Sequence, residues 1–91
     1  MKYKTKDIGA ALIKKGFQVR QSKHTIYILY VNQKKTRIFT FISHGISEYG
    51  DILLSKMKKQ LYLSREEFEN LIECPLSEEK LVEIYSNKGL I

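Results

Sequence analysis

The feature that most constrains the fold of this sequence is a pair of β-prone runs joined by a short polar segment. His24–Val31 and residues 36–42 are rich in β-branched and aromatic residues, and residues 32–35 between them have the composition of a turn. Residues 17–20, in which apolar and polar side chains alternate, precede this pair. Three consecutive antiparallel strands are therefore predicted, with His24–Val31 in the middle.

Helical periodicity flanks the predicted sheet on both sides. Thr5 is the predicted N-cap of a first helix that stops at Gly16, where a left-handed residue is favoured. Asp51 is the predicted N-cap of a second helix, whose apolar stripe lies opposite a basic face. Two acidic helices follow, with Ser64 and Ser77 as predicted caps.

This order predicts an α+β fold, a two-layer α-β-β-β-α domain with a C-terminal helical extension. A length of 91 residues fits one domain. We assign residues 1–72 to the main domain and residues 73–91 to the acidic extension of the same domain. Both main helices are expected on one face of the sheet. The middle strand is apolar on both sides, so the other face is expected to be covered by the extension or by a partner chain, for example in a homodimer.

Charge is distributed unevenly along the chain. Residues 1–61 contain 13 Lys and Arg against three Asp and Glu, whereas residues 62–91 contain three against seven. A basic body attracts polyanions through phosphate contacts, and an acidic segment repels them. Nucleic acid is therefore expected to bind the N-terminal two-thirds of the chain.

Cysteine usage and hydropathy predict the compartment. Cys74 is the only cysteine, so it cannot close an intrachain disulfide, and a lone thiol suits the reducing cytoplasm. It is expected to be partly buried at a helix junction beside Pro75. Asp7 and Lys14 bracket an apolar stretch too short for an export signal, and no apolar run approaches the ~18 residues of a membrane span. We predict a cytoplasmic protein.

Several short motifs accompany the predicted strands. They are Gly16-Phe17, Arg20-Gln21, Ser22-Lys23-His24 and Ser43-His44-Gly45, followed by a helix and a Leu-Ser-x-Glu-Glu-Phe-like segment within residues 51–68. These motifs resemble those of HicA-type toxins, which have a fold like that of a double-stranded-RNA-binding domain. In that family a first helix ends in Gly-Phe, an Arg-Gln follows, a Gly-Ser-His triplet opens the second strand, and a His-Gly step follows the third. The resemblance covers about residues 5–72.

The resemblance implies a small endonuclease that cleaves messenger RNA and is held inactive by a HicB-like antitoxin. The catalytic histidine of the family corresponds to His24. The Gly and Ser that precede it in the family are replaced by Ser22 and Lys23, so the backbone freedom of glycine is absent here.

RNA can be cleaved without a metal because its own 2′-hydroxyl is the nucleophile, and histidine suits both proton transfers. The chain has two histidines, His24 and His44. A turn centred near Gln33 would pair His24 with Ile42 and place both histidines on one face. A shift of one residue would put them on opposite faces, and the sequence leaves both registers open.

The charge and the sequence context of other residues predict whether they contact RNA. Lys58 is expected to be solvated surface, and Tyr27 and Tyr30 are expected in the core rather than stacked on bases. No metal site, nucleotide-binding loop or cofactor is predicted. The predicted phosphate contacts are Arg20, Lys23, Lys56 and Lys59.

Two other functions remain open. A non-catalytic RNA-binding module would bind RNA in a salt-sensitive way without cleavage. A protein-interaction domain would use the uncovered sheet face for another polypeptide and would have no appreciable affinity for RNA.

Overall fold

The computed structural model describes residues 2–73 and 76–91. It is an α+β domain, as predicted, with a three-stranded antiparallel sheet of order β2-β3-β4 and a separate two-stranded ladder of β1 with β5. The predicted burial of Cys74 at a helix junction lies outside the described residues. The elements are β1 Tyr3–Lys4, α1 Thr5–Lys14, β2 Phe17–Gln21, β3 His24–Val31, β4 Lys34–Ser43, β5 Glu48–Tyr49, α2 Asp51–Gln60, α3 Arg65–Glu73 and α4 Glu78–Asn87.

The turn between β3 and β4 is shorter than predicted. Asn32 and Gln33 have φ values of 53° and 64°, as a two-residue type I′ hairpin requires, and Lys34 already belongs to β4. A register shift lies near the turn, between Ile28 and Tyr30 of β3. Because this irregularity displaces the pairing by two positions, the rest of the hairpin pairs differently from the part beside the turn.

The sheet has two unlike faces. Its inner face consists of Tyr27 and Leu29 from β3 with Ile38, Thr40 and Ile42 from β4, all of which are buried. Ile8 and Leu12 of α1 and Leu54 and Met57 of α2 belong to the same core cluster. Both main helices therefore cover the inner face, which confirms the predicted two-layer arrangement.

The outer face is the opposite side of the same strands. We define it by the residues that alternate with those of the inner face and pair across the strands. They are Gln18 and Arg20 of β2, His24, Ile26 and Ile28 of β3, and Phe39, Phe41 and Ser43 of β4.

The C-terminal extension does not cover this outer face, contrary to one of the two expectations for it. Leu81 and Tyr85 of α4 are fully buried in the core cluster with Phe17 and Leu29. The Tyr85 hydroxyl donates a hydrogen bond of 2.7 Å to the Leu61 carbonyl at the end of α2. The extension thus packs on the helical layer, since its apolar stripe completes the core there.

Several helix boundaries follow the predicted chemistry. Gly16 has φ +99° and ends α1. Ser64 and Glu67 form a reciprocal capping box, in which the Ser64 N–H donates to Glu67 Oε1 at 2.8 Å and the Glu67 N–H donates to Ser64 Oγ at 3.1 Å. Ser77 caps α4 by accepting a hydrogen bond from the Lys80 N–H at 3.2 Å.

Two predicted N-caps are wrong. Lys4 rather than Thr5 precedes α1, and Thr5 Oγ1 instead donates to the Ile46 carbonyl at 2.9 Å. Gly50 rather than Asp51 precedes α2, and Asp51 is the first helical residue. At α1 the Thr5 side chain, which the local sequence would assign to capping, instead forms a tertiary hydrogen bond with the loop before β5.

The four helices within the described ranges have nine or ten residues each, about half of what a membrane-spanning helix needs. None of them could cross a membrane.

Candidate functional site

His24 begins β3 and is exposed on the outer face. Its imidazole stacks on the ring of Phe41, with 4.9 Å between ring centroids and 27° between ring planes. Phe41 lies on the neighbouring strand two residues before Ser43, the direct partner of His24. The sheet therefore restricts the orientation of this imidazole while solvent keeps access to it.

A concavity lies between Phe41, the ring that supports His24, and α2. It has a volume of about 160 Å³, and its lining includes Phe41, Ser43 and Lys56. The Tyr49 hydroxyl closes one side by accepting a hydrogen bond of 3.0 Å from the Ser43 N–H. Lys56 therefore lines the same concavity as Phe41, the ring on which His24 stacks. Lys59 is exposed one turn further along α2.

The other two predicted phosphate contacts come from the first hairpin. Lys23 is exposed in the turn between β2 and β3, immediately before His24. Arg20 is exposed on β2, pairs with Ile26 and has the outer-face parity of His24. Lys58, expected to be solvated, is only half-exposed and lines a different concavity together with Arg65 and Phe68.

The register that would pair the two histidines is not the one observed. His24 pairs with Ser43 and Thr25 pairs with Ile42, a shift of one residue from the register centred near Gln33. The two-residue turn and the irregularity between Ile28 and Tyr30 together produce this shift. His44 follows the end of β4 in an exposed turn, on the parity opposite to His24. Assistance from His44 remains a prediction, now without the support of a shared face.

All charged residues of the sheet that carries His24 are basic. The three strands and the turns between them, residues 17–43, contain five Lys and Arg and no Asp or Glu. No acidic residue occurs between Asp7 and Glu48. An anionic ligand on the outer face would therefore meet no repelling carboxylate from the sheet itself.

Aromatic residues divide between the core and the outer face. Tyr27 is buried on the inner face, which confirms the core interpretation and raises the pKa of its hydroxyl through burial. Tyr30 is half-buried. Phe39 and Phe41 were not singled out from the sequence, although Phe39 is 51% exposed and Phe41 supports His24. In the sequence these two residues alternate with Ile38, Thr40 and Ile42, which places the two sets on opposite faces of the strand. The alternation alone does not say which of the two faces the helices cover.

In residues 2–73 and 76–91, no three His, Cys, Asp or Glu side chains converge as metal ligands would.

The chain has no match among the known proteins with which it was compared. Comparisons with protein-family models, with curated proteins and with solved structures each found none. The resemblance of residues 5–72 to HicA-type toxins consequently rests on the motifs themselves, chiefly those around His24 and His44.

Proposed function

We propose that this chain is a metal-independent endoribonuclease of the HicA kind, with His24 as its catalytic residue. The observation that carries the proposal is the stacking of the exposed His24 ring on Phe41, within a sheet that has only basic charged residues. An imidazole that is accessible, held in orientation and part of a sheet with only basic charged residues suits proton transfer to or from a polyanion.

The reaction needs no group beyond those of the protein and the RNA. The 2′-oxygen attacks the adjacent phosphorus, and the bond from phosphorus to the 5′-oxygen breaks. One proton leaves the 2′-hydroxyl and one is added to the departing 5′-oxygen, which yields a 2′,3′-cyclic phosphate and a 5′-hydroxyl. His24 serves one of these transfers, as base or as acid. Arg20, Lys23, Lys56 and Lys59 stabilise the charge on the phosphoryl oxygens.

The proposal includes a cytoplasmic location and a protein partner. A single cysteine in the whole sequence suits a reducing compartment. A HicB-like antitoxin, implied by the resemblance, would neutralise the enzyme by covering the exposed His24 and its basic surroundings. A companion protein encoded beside this one should then co-purify with it and inhibit cleavage.

The decisive experiment is cleavage of a labelled RNA by purified protein in buffer containing a chelator. We expect products that end in 2′,3′-cyclic phosphate, and no product when the 2′-hydroxyl at the cleaved position is replaced by hydrogen. His24→Ala should lower the rate by about 10²- to 10⁴-fold, the usual contribution of a general acid or base.

His44→Ala is the comparison variant, since it tests whether the second exposed imidazole, which lies outside the sheet, assists cleavage. Unchanged folding of both variants, checked by circular dichroism, makes the comparison valid. Equal rates for the parent and His24→Ala would contradict the assignment of His24. In cells, induced expression of the parent should arrest growth with decay of total RNA, and His24→Ala should not.

A non-catalytic RNA-binding module is the second candidate, and one observation favours it. The strands contribute no carboxylate that could orient the imidazole through its second nitrogen, as catalytic histidines commonly require. This candidate predicts salt-sensitive RNA binding with no cleavage under the same conditions. A protein-interaction domain without nucleic-acid function would instead show no RNA affinity at low salt.

A further inference from the structure

The outer face of the sheet presents aromatic and apolar side chains next to the basic residues Arg20 and Lys35. Phe39 is 51% exposed in the middle of β4, where a residue with no ligand would normally be polar. Phe41 follows two residues later on the same face, about 7 Å further along the strand, and bears the stacked ring of His24. Three rings therefore line one path across the outer face.

Beside this path lies an open concavity of about 390 Å³, within the ~300–1,000 Å³ range typical of ligand sites. Its floor includes Ile26, Ile28 and Phe39, and its edges carry Arg20 and Lys35. No acidic side chain contributes to its lining. The site thus combines flat apolar surface with cations on two sides.

We propose that this outer face is a stacking platform for the unpaired bases of single-stranded RNA. Bases would stack on Phe39 and on the Phe41–His24 pair, with Arg20 and Lys35 contacting the flanking phosphates. The proposal rests on the proposed function and deepens it, because it names the form of RNA that the enzyme takes.

The chemistry of the face favours this occupant over the others. Aromatic rings on an open sheet can stack with bases whose faces are free, whereas the bases of a duplex are already stacked within it. A second copy of the chain would bring Arg20 and Lys35 of both copies together, and like charges at an interface are unfavourable. A polyanion with stackable rings satisfies both the apolar floor and the cationic edges.

The arrangement also has a consequence for catalysis. A base on Phe39 would fix the position of its strand relative to Phe41, whose ring touches the His24 ring. The platform would therefore position the RNA backbone near the catalytic imidazole. In this arrangement Phe39 is a positioning residue rather than a catalytic one.

The test measures binding of a short, fluorescently labelled 2′-fluoro RNA, which lacks the nucleophile and cannot be cleaved. We expect the parent to bind the single strand more tightly than the matching duplex. Phe39→Leu, which keeps an apolar side chain but removes the ring, should weaken single-strand binding about five- to hundredfold, and Phe39→Trp should retain it. Ile52→Ala, at a 76% exposed apolar residue of α2, is the control and should bind like the parent.

Several results would overturn the platform. Binding by Phe39→Leu equal to that of the parent would do so, as would equal affinity for duplex and single strand, or no binding of either. Loss of a companion protein's binding in Phe39→Leu, with RNA binding unchanged, would assign the face to a polypeptide instead.

The cleavage assay of the parent separates this proposal from the proposed function. Ring-dependent binding of the single strand without cleavage would support the platform and contradict the nuclease. Cleavage that is indifferent to Phe39→Leu would support the nuclease and contradict the platform.

Discussion

A single glycine allows helix α1 to lie against a tyrosine of the sheet. A Cβ atom added at Gly9 of α1 would lie 2.5 Å from the Tyr27 hydroxyl oxygen and 3.2 Å from the ring carbon that bears it. Tyr27 is itself buried, at 8% exposure, so its ring has little room to move away. Glycine is thus used within a helix, where it is intrinsically unfavourable, because only it allows α1 to lie directly on this tyrosine.

This contact makes Gly9→Ala destabilising, although alanine is the better helix former. Overpacking costs about 1–3 kcal/mol and the gain in helix propensity returns up to about 1 kcal/mol, so we expect unfolding free energy to fall by about 1–2 kcal/mol. Urea denaturation of Gly9→Ala, Tyr27→Phe and the double variant measures it. Tyr27→Phe removes the nearest atom, so the double variant should be more stable than the sum of the single effects predicts. Simple additivity would show that the clash is not with the hydroxyl.

At the scale of the element, α2 ends in an unusual way. Tyr62 has φ 56°, a left-handed conformation normally taken by glycine after a helix. The N–H groups of Tyr62 and Leu63 donate to the carbonyls of Lys59 and Lys58, each at 3.1 Å, which completes a Schellman motif. Gly89 occupies the corresponding position after α4, with φ 73°. The two helix ends thus have the same geometry but only one has the residue that suits it.

Tyr62→Gly should therefore stabilise the protein. Relief of left-handed strain gains about 1–2 kcal/mol, and the greater flexibility of glycine in the unfolded chain takes back about 0.5–1 kcal/mol, for a net gain of about 0.5–1 kcal/mol. Tyr62→Ala, which keeps a Cβ atom at the same φ, is the control and should not stabilise. Thermal denaturation of the three proteins decides between strain relief and mere removal of a 47% exposed ring.

The success of sequence reasoning also differs from one element to another. The β3–β4 hairpin, Gly16 and the capping box at Ser64 were predictable because each depends on neighbours in sequence. The register at His24 was not predictable, because it depends on a two-residue turn and on a separate irregularity between Ile28 and Tyr30. The role of Thr5 was not predictable either, because its hydrogen-bond partner, the Ile46 carbonyl, lies 41 residues away in the sequence. The exposure of Phe39 depends on which sheet face the helices cover, which no local pattern specifies.

At the scale of the whole molecule, one ion pair joins the C-terminal end of α4 to α3 and to the end of α2. Lys88 Nζ donates to Glu67 Oε1 and to the Tyr62 carbonyl, both at 2.7 Å. Partial burial works to raise the pKa of Glu67, but hydrogen bonds from Lys88 and Ser64 outweigh it and hold the pKa below its usual range. The Glu67 carboxylate therefore caps α3 and also holds the C-terminal end of α4 against α3.

This lowered pKa has a definite sign for stability. The ionised carboxylate contributes above the pKa of the unfolded chain, about 4.3, and the contribution is lost as pH falls through the lower folded value. We expect Glu67→Gln to be less stable than the parent at neutral pH and the difference to shrink below about pH 4. Glu66→Gln, an exposed neighbour with the same change of charge, is the matched control. A constant difference across this range would contradict the linkage.

The division of charge along the chain gives a further prediction, which rests on the proposed function. Each phosphate contact with single-stranded nucleic acid contributes a slope of about −0.7 to the dependence of log K on log salt. Replacing both Lys56 and Lys59 with glutamine should therefore make the slope for RNA binding shallower by about 1.4. Lys80→Gln on the acidic α4 should leave it unchanged. Equal slopes for the parent and the Lys56/Lys59 double variant would exclude these two residues of α2 from the contact surface.

The short ladder of β1 with β5 has a consequence for the order of folding. Tyr3 pairs with Tyr49, and the Thr5 N–H donates to the Ser47 carbonyl at 2.9 Å, so this strap joins parts of the chain that are distant in sequence. The β3–β4 hairpin closes a two-residue turn, whereas the strap must close a loop that contains the whole sheet. We expect the strap to form last and to open first in native-state hydrogen exchange. Its opening would release the segment from His44 to Ser47, beside the candidate site, while the core stays folded.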